Sequence, residues 1–236
     1  ASEESGRNLI GEARGSYPGM DLWDHHYPIA LAYALEILDE RYDAIVVDEG
    51  QDFGEEFWFP IEILLSDGDR SPLYIFYDEN QNVYTRASTF PTDTAPITLT
   101  VNCRNTRKIH EAAYHFYSGS VIEAPNIAGE DIQVIEASTL KKQAKKIYEQ
   151  ITRLIAVENF SPSAVTVLIA DRIHRKTHQG FLNDYTLPAG AYWGAVEVVD
   201  PNNLKIETVA RFKGLESDVL ILWGLDELPS NEKEET

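Results

Sequence analysis

The run Ile45-Val46-Val47-Asp48-Glu49 constrains the fold of this chain more than any other feature. Three branched apolar residues in succession read as a buried strand, because a strand with one solvated face alternates apolar with polar. The run then breaks at once into two adjacent carboxylates. A second apolar run, Leu73-Tyr74-Ile75-Phe76-Tyr77, ends the same way, in Asp78-Glu79-Asn80-Gln81. Between them, Phe57 to Leu65 reads as a short helix closed by the turn formers Ser66-Asp67-Gly68-Asp69. Two buried strands joined by a helix suggest a parallel βαβ unit, since parallel neighbours require a crossover. Open α/β sheets bind ligands at the carboxyl ends of their strands, where both acidic clusters fall. Adjacent carboxylates there are costly unless a cation or a reacting water uses them; the plain alternative is a pair of acids facing solvent.

The rest of the chain extends the α/β pattern. Residues 1–20 carry Gly, Ser and Pro without periodicity and read as loop. Pro28 opens a helix whose apolar face is Ile29, Tyr33 and Ile37 with Ala30, Ala34 and Leu38. The Thr- and Pro-rich stretch 88–96 reads as a linker, so the chain is cut near residue 95 into domains 1–95 and 96–236. In the second, the spacing predicts a strand over 97–101 and a helix capped by Asn105 or Thr106 and stopped at Gly119. A strand over 132–136, a helix from Thr139 to about Val157 and a strand over 164–170 follow. Strands near 192–199, 204–209 and 218–223 complete the set. The tail 232–236 reads as disordered.

Composition narrows the function classes. Acidic residues outnumber Lys and Arg by 39 to 20, a net charge of −19, which argues against nucleic-acid binding through overall charge. A local basic groove is compatible with it. Lys141-Lys142 and Lys145-Lys146 have helical spacing and read as a solvated helix face before a phosphate-binding stripe. No apolar run approaches the ~20 residues of a membrane span, and the polar, acidic start is no secretory signal. The one cysteine, Cys103, leaves no internal disulfide and fits a reducing cytoplasm. His174 and His178 share a helical spacing but have no third metal ligand near in sequence, and Trp58, Trp193 and Trp223 read as core or interface.

Further polar residues near strand ends have the chemistry to contact a phosphate or a water. Gln81 could bond a phosphate oxygen or a water. Arg104, in Asn102-Cys103-Arg104, follows a strand end, and its planar fork matches phosphate oxygens. Thr208 to Glu216 breaks between two strands, with Gly214 permitting a tight turn.

Taken in order, these segments resemble the superfamily 1 helicases of the UvrD/Rep type. That family's Walker B motif, D-E-x-Q-D, corresponds to Asp48-Glu49-Gly50-Gln51-Asp52. Its G-D-x-x-Q-x-I-Y motif corresponds, apart from the first residue, to Tyr77 through Tyr84. Its N-Y-R motif corresponds to Asn102-Cys103-Arg104, and T-x-H-x-x-K-G-L-E to Thr208 through Glu216. The resemblance implies an α/β fold of RecA-like P-loop NTPase architecture, with parallel sheets and flanking helices. The chain would hold part of a first motor domain and most of a second, with ATP and Mg2+ as cofactors. It implies that Asp48 holds the magnesium ion and Glu49 polarises the hydrolytic water, with Gln51 organising the site. Gln81 would sense the γ-phosphate and Arg104 would neutralise it. Thr208, Lys213 and Glu216 would couple nucleotide to DNA, Glu216 near the ribose. The implied partner is single-stranded or partly duplex DNA, with RNA the alternative; the implied location is cytoplasmic, with no membrane.

The departures are equally specific. No G-x-x-x-x-G-K-S/T occurs, so the phosphate loop is missing. The family's C-terminal arginine motif and large accessory insertion are also absent. Cys103 stands for the adenine-stacking tyrosine, Tyr77 for a glycine, Ala210 for a histidine, and Thr85-Arg86-Ala87 where an aromatic and an arginine are usual. The expectation is a helicase fragment, inactive alone, whose missing partner is the N-terminal ATPase segment of the same protein. The alternatives are a degenerate helicase-like interaction module without ATP turnover and, more distantly, a magnesium-dependent phosphohydrolase using Asp48 as nucleophile.

Overall fold

The computed structural model describes residues 5–78, 90–92, 94–117, 119 and 121–225. The chain divides into two compact units, Ala1–Thr98 and Leu99–Thr236. Both are α/β, with parallel sheets and flanking helices.

The first unit opens with α1 (Leu9–Ser16), where the sequence pattern suggested loop. Asn8 caps it by accepting a 3.0 Å hydrogen bond from the Gly11 amide. Leu9 and Ala13, one turn apart, are buried against Ala30 of α2 (Tyr27–Leu35). A helix this short does not stand alone in water, so burial of that face stabilises it. Ahead of α2, Asp21 Oδ1 accepts from the amides of Trp23 and Asp24 at 2.7 and 2.9 Å, which sets up a turn over Leu22–His26.

Strand β1 (Ile45–Val47) crosses through α3 (Trp58–Ile63) to β2 (Leu73–Ile75), and the two pair in parallel with Ile45 opposite Leu73 and Val47 opposite Ile75. Val47, Trp58 and Ile61 form the core beneath them. The other face is open: Val46 is 65% and Tyr74 55% exposed. The expected double-sided burial is therefore corrected to one buried face, since a two-stranded ribbon with helix on one side covers only alternate residues. Phe90, from the expected linker, packs edge-on to Trp58 at 5.7 Å and against Tyr77 at 4.5 Å.

The second unit holds a four-stranded sheet of order β4-β5-β3-β6, parallel throughout. Its strands are β3 (Val165–Ile169), β4 (Tyr192–Gly194), β5 (Asn203–Thr208) and β6 (Val219–Trp223). Helix α4 (Arg107–Tyr114) precedes the sheet in sequence, as does α5 (Leu140–Ala156); α6 (Arg175–Asn183) follows β3, and the short α7 (Val209–Phe212) follows β5. Thr139 caps α5 by accepting from the Lys142 amide. Ala144, Ile147, Ile151, Leu154 and Ile155 recur at helical spacing and lie on Val165, Val167, Ile169, Leu204 and Ile206. Each large aliphatic side chain fully buried there contributes about 1.5–3 kcal/mol. Trp223 joins that core, its indole N–H donating to Gln143 Oε1 at 2.7 Å.

Two expected strands do not form. Over 97–101 the structure has only a bridge between Val101 and Glu123, and 132–136 pairs with nothing as a strand. Ile97, Leu99, Ile132 and Val134 are exposed. Alternating apolar residues favour a strand only where a sheet edge receives them. The expected 192–199 strand stops at Gly194.

Candidate functional site

In the first unit the chain leaves β1 into a tight turn that gathers the acidic residues. The Asp48 side chain is exposed, and its Oδ1 accepts from the Glu49 amide at 2.9 Å. Glu49 adopts a left-handed conformation, φ 53° and ψ 43°. For a residue with a side chain this costs about 1–2 kcal/mol, and such strain clusters at functional sites. Gly50 allows the turn to approach β2: its amide donates to Phe76 O at 2.8 Å, and an added Cβ would lie 2.5 Å from Ile75 Cγ2.

Buried Gln51 then joins the tips of both strands. Its Nε2 donates to Glu49 Oε2 at 2.5 Å and its Oε1 accepts from the Asp78 amide at 3.0 Å. Asp48, Glu49, Gln51 and Asp78 are thus brought together at the C-terminal ends of two parallel strands. Gln81 lies outside the described residues. Among the described residues no three His, Cys, Asp or Glu side chains cluster to hold a metal ion.

In the second unit Arg104 and Glu216 meet: Nε to Oε1 is 2.6 Å. Arg104 projects from a turn built on Asn102, whose Oδ1 accepts from the amides of Arg104 and Asn105 at 3.0 and 3.2 Å. Glu216 follows Lys213, which is half-buried, and Gly214, which is exposed and at φ 77°. Thr208 is buried at the end of β5.

Beneath that segment lies a cluster missed in sequence. Glu207 is fully buried and ion-paired on both sides, with Arg175 Nη2 2.9 Å from Oε1 and Arg211 Nη1 3.1 Å from its other oxygen. Its Oε1 also accepts from the Thr208 amide at 2.9 Å. Arg211 reaches Glu197 as well, at 2.6 Å. A carboxylate inside a strand buried on both faces demands such partners, so Glu207 was itself the available signal. His174 and His178 are engaged elsewhere: His174 Nδ1 lies 2.5 Å from Asp171 Oδ2, and His178 Nδ1 lies 3.1 Å from His174 O. Trp58 and Trp223 are buried core residues, as their sequence context suggested.

No protein-family model matches the chain, and no curated protein matches it either. Among the described residues no helix is long and apolar enough to cross a membrane.

Proposed function

We propose that this chain is part of an ATP-driven translocase of the superfamily 1 helicase type, RecA-like in fold, that moves on single-stranded DNA. One observation carries the reading: Gln51 ties Glu49 to Asp78 across the C-terminal ends of two parallel strands. That is where a P-loop ATPase places the carboxylates serving magnesium and the attacking water.

In this reading Asp48 holds the Mg2+ of ATP. An exposed carboxylate at a strand end fits that ion, which takes one or two carboxylates and completes its shell with phosphate oxygens and water. Magnesium supplies charge neutralisation at the phosphates. Glu49, its carboxylate oriented by Gln51, polarises the attacking water, and Gln81 senses the γ-phosphate. Arg104 neutralises charge on the γ-phosphate, Glu216 meets the ribose, and Thr208 and Lys213 couple the nucleotide to DNA. The pairing of Arg104 with Glu216 supports this assignment, because it puts both proposed nucleotide contacts of the second unit at one place.

The sequence contains no G-x-x-x-x-G-K-S/T, and that observation favours a second reading, an interaction module without ATP turnover. One experiment separates the two. The complete reading frame that encodes these residues, expressed whole, should hydrolyse ATP in response to single-stranded DNA. Glu49→Gln should then lower kcat about a hundredfold or more while ATP still binds. The 236 residues alone should show no turnover. A whole protein without DNA-stimulated hydrolysis, or an unchanged kcat in Glu49→Gln, overturns the translocase reading.

A further inference from the structure

We infer that His110 is a positioning residue for Arg104, acting through the side-chain amide of Asn102. The inference concerns the conformation of the Arg104 turn; its consequence for ATP rests on the phosphate-clamp reading of Arg104.

The Asn102 carbonyl oxygen has two acceptor sites, and both are used, by the amides of Arg104 and Asn105. The group it turns toward His110 is therefore its NH2, which only donates. Nδ2 lies 3.1 Å from His110 Nδ1. In this geometry that nitrogen is the acceptor, which corresponds to the tautomer with its proton on Nε2. A flipped Asn102 amide would put its NH2 against two backbone donors and its oxygen against a lone pair. His110 thus reinforces, by accepting from the Asn102 NH2, the amide orientation that the two backbone donors of the turn require.

The ring is itself held. His110 is buried, and its amide bonds Thr106 O at 2.9 Å within the first turn of α4. It stacks on Tyr114 with centroids 5.0 Å apart and planes at 23°, and Tyr114 stacks on Tyr117 at 5.2 Å and 14°. Tyr114 Oη accepts from the Ile122 amide at 3.2 Å, next to Glu123. Glu123 O in turn accepts from the Asn102 amide at 3.0 Å. The path closes on itself: turn, helix face, aromatic stack, and the segment that pins Asn102. Arg104 leaves this framework to reach Glu216.

Two variants test it in nucleotide-free protein. His110→Phe keeps the aromatic stack and removes the acceptor; His110→Gln keeps an acceptor and removes the ring. NMR should show His110 Nδ1 unprotonated in the parent chain. Amide exchange at Arg104 and Asn105 should accelerate about fivefold to tenfold in His110→Phe, the loss expected of one hydrogen bond, and stay near the parent rate in His110→Gln. Exchange of the Arg104 Nε–H should follow the same order, with the urea midpoint recorded for each variant. A protonated Nδ1, unchanged exchange in His110→Phe, or equal acceleration in both variants overturns the inference. ATP turnover of Arg104→Ala in the whole protein tests the clamp separately, so either idea can fail alone.

Discussion

Arg104 Nε and Glu216 Oε1 lie 2.6 Å apart, joining a turn near the start of the second unit to the segment that follows β5. The two side chains are 61% and 64% exposed, so water and salt compete with the pair. An ion pair this exposed is weak enough for a bound ligand to displace.

A double-mutant cycle with Arg104→Ala and Glu216→Ala should give a coupling of about 0.2–1 kcal/mol. Urea unfolding at low and high salt checks it. The coupling should shrink toward zero in about 1 M salt, where the Debye length falls to roughly 3 Å.

Gly50→Ala should destabilise the first unit by about 1–3 kcal/mol, the range for forcing extra volume into a packed contact. The cause is the 2.5 Å approach of a Cβ to Ile75 Cγ2, with Phe76 O only 3.3 Å away. The urea midpoint should fall, and Gly15→Ala, where a Cβ meets nothing within 4 Å, serves as the control.

Glu207→Ala should cost the second unit about 3–5 kcal/mol, because it removes the carboxylate that partners Arg175 and the inner contact of Arg211. Glu197→Ala, at the exposed end of the same arginine, should change stability by less than about 0.5 kcal/mol. Parallel denaturant titrations distinguish these outcomes.

Acid should weaken the turn before α2. Hydrogen bonds from the backbone amides of Asp24 and then Trp23 hold the Asp21 carboxyl below its ordinary range. A carboxyl depressed in the folded state stabilises fully above its unfolded value, about 3.9, and that contribution is lost as pH falls through the folded value. The stability gap between the parent chain and Asp21→Ala should therefore hold steady from neutral pH down to about pH 5 and narrow below it. Urea midpoints measured across the acid range test this.

Some of this structure was legible locally. The five-residue face of α5, from Ala144 to Ile155, shows in the spacing of apolar residues, and Thr139 marks its start. Val165 to Ile169 and Val219 to Trp223 show as apolar runs bounded by polar residues. Asp48 and Glu49 were identifiable because acids stop an apolar run at a strand's carboxyl end. By contrast, α1 was hidden, since Leu9 and Ala13 become a helical face only once Ala30 lies against them. Residues 97–101 and 132–136 have the composition of strands and lack a partner edge over most of their length.

The sequence by itself determined the α/β character, the parallel unit of β1 and β2 with α3 between them, and the polar residues at the strand ends, because these depend on periodicity over a few neighbouring residues. Only the tertiary structure decided that Gln51 bridges Glu49 and Asp78, that Glu207 sits between two arginines, that Glu216 receives Arg104, and that His110 orients Asn102. Hydrogen bonds and ion pairs depend on distances of about 3 Å between atoms, and such distances between residues remote in the chain arise only after the sheet and helices have packed.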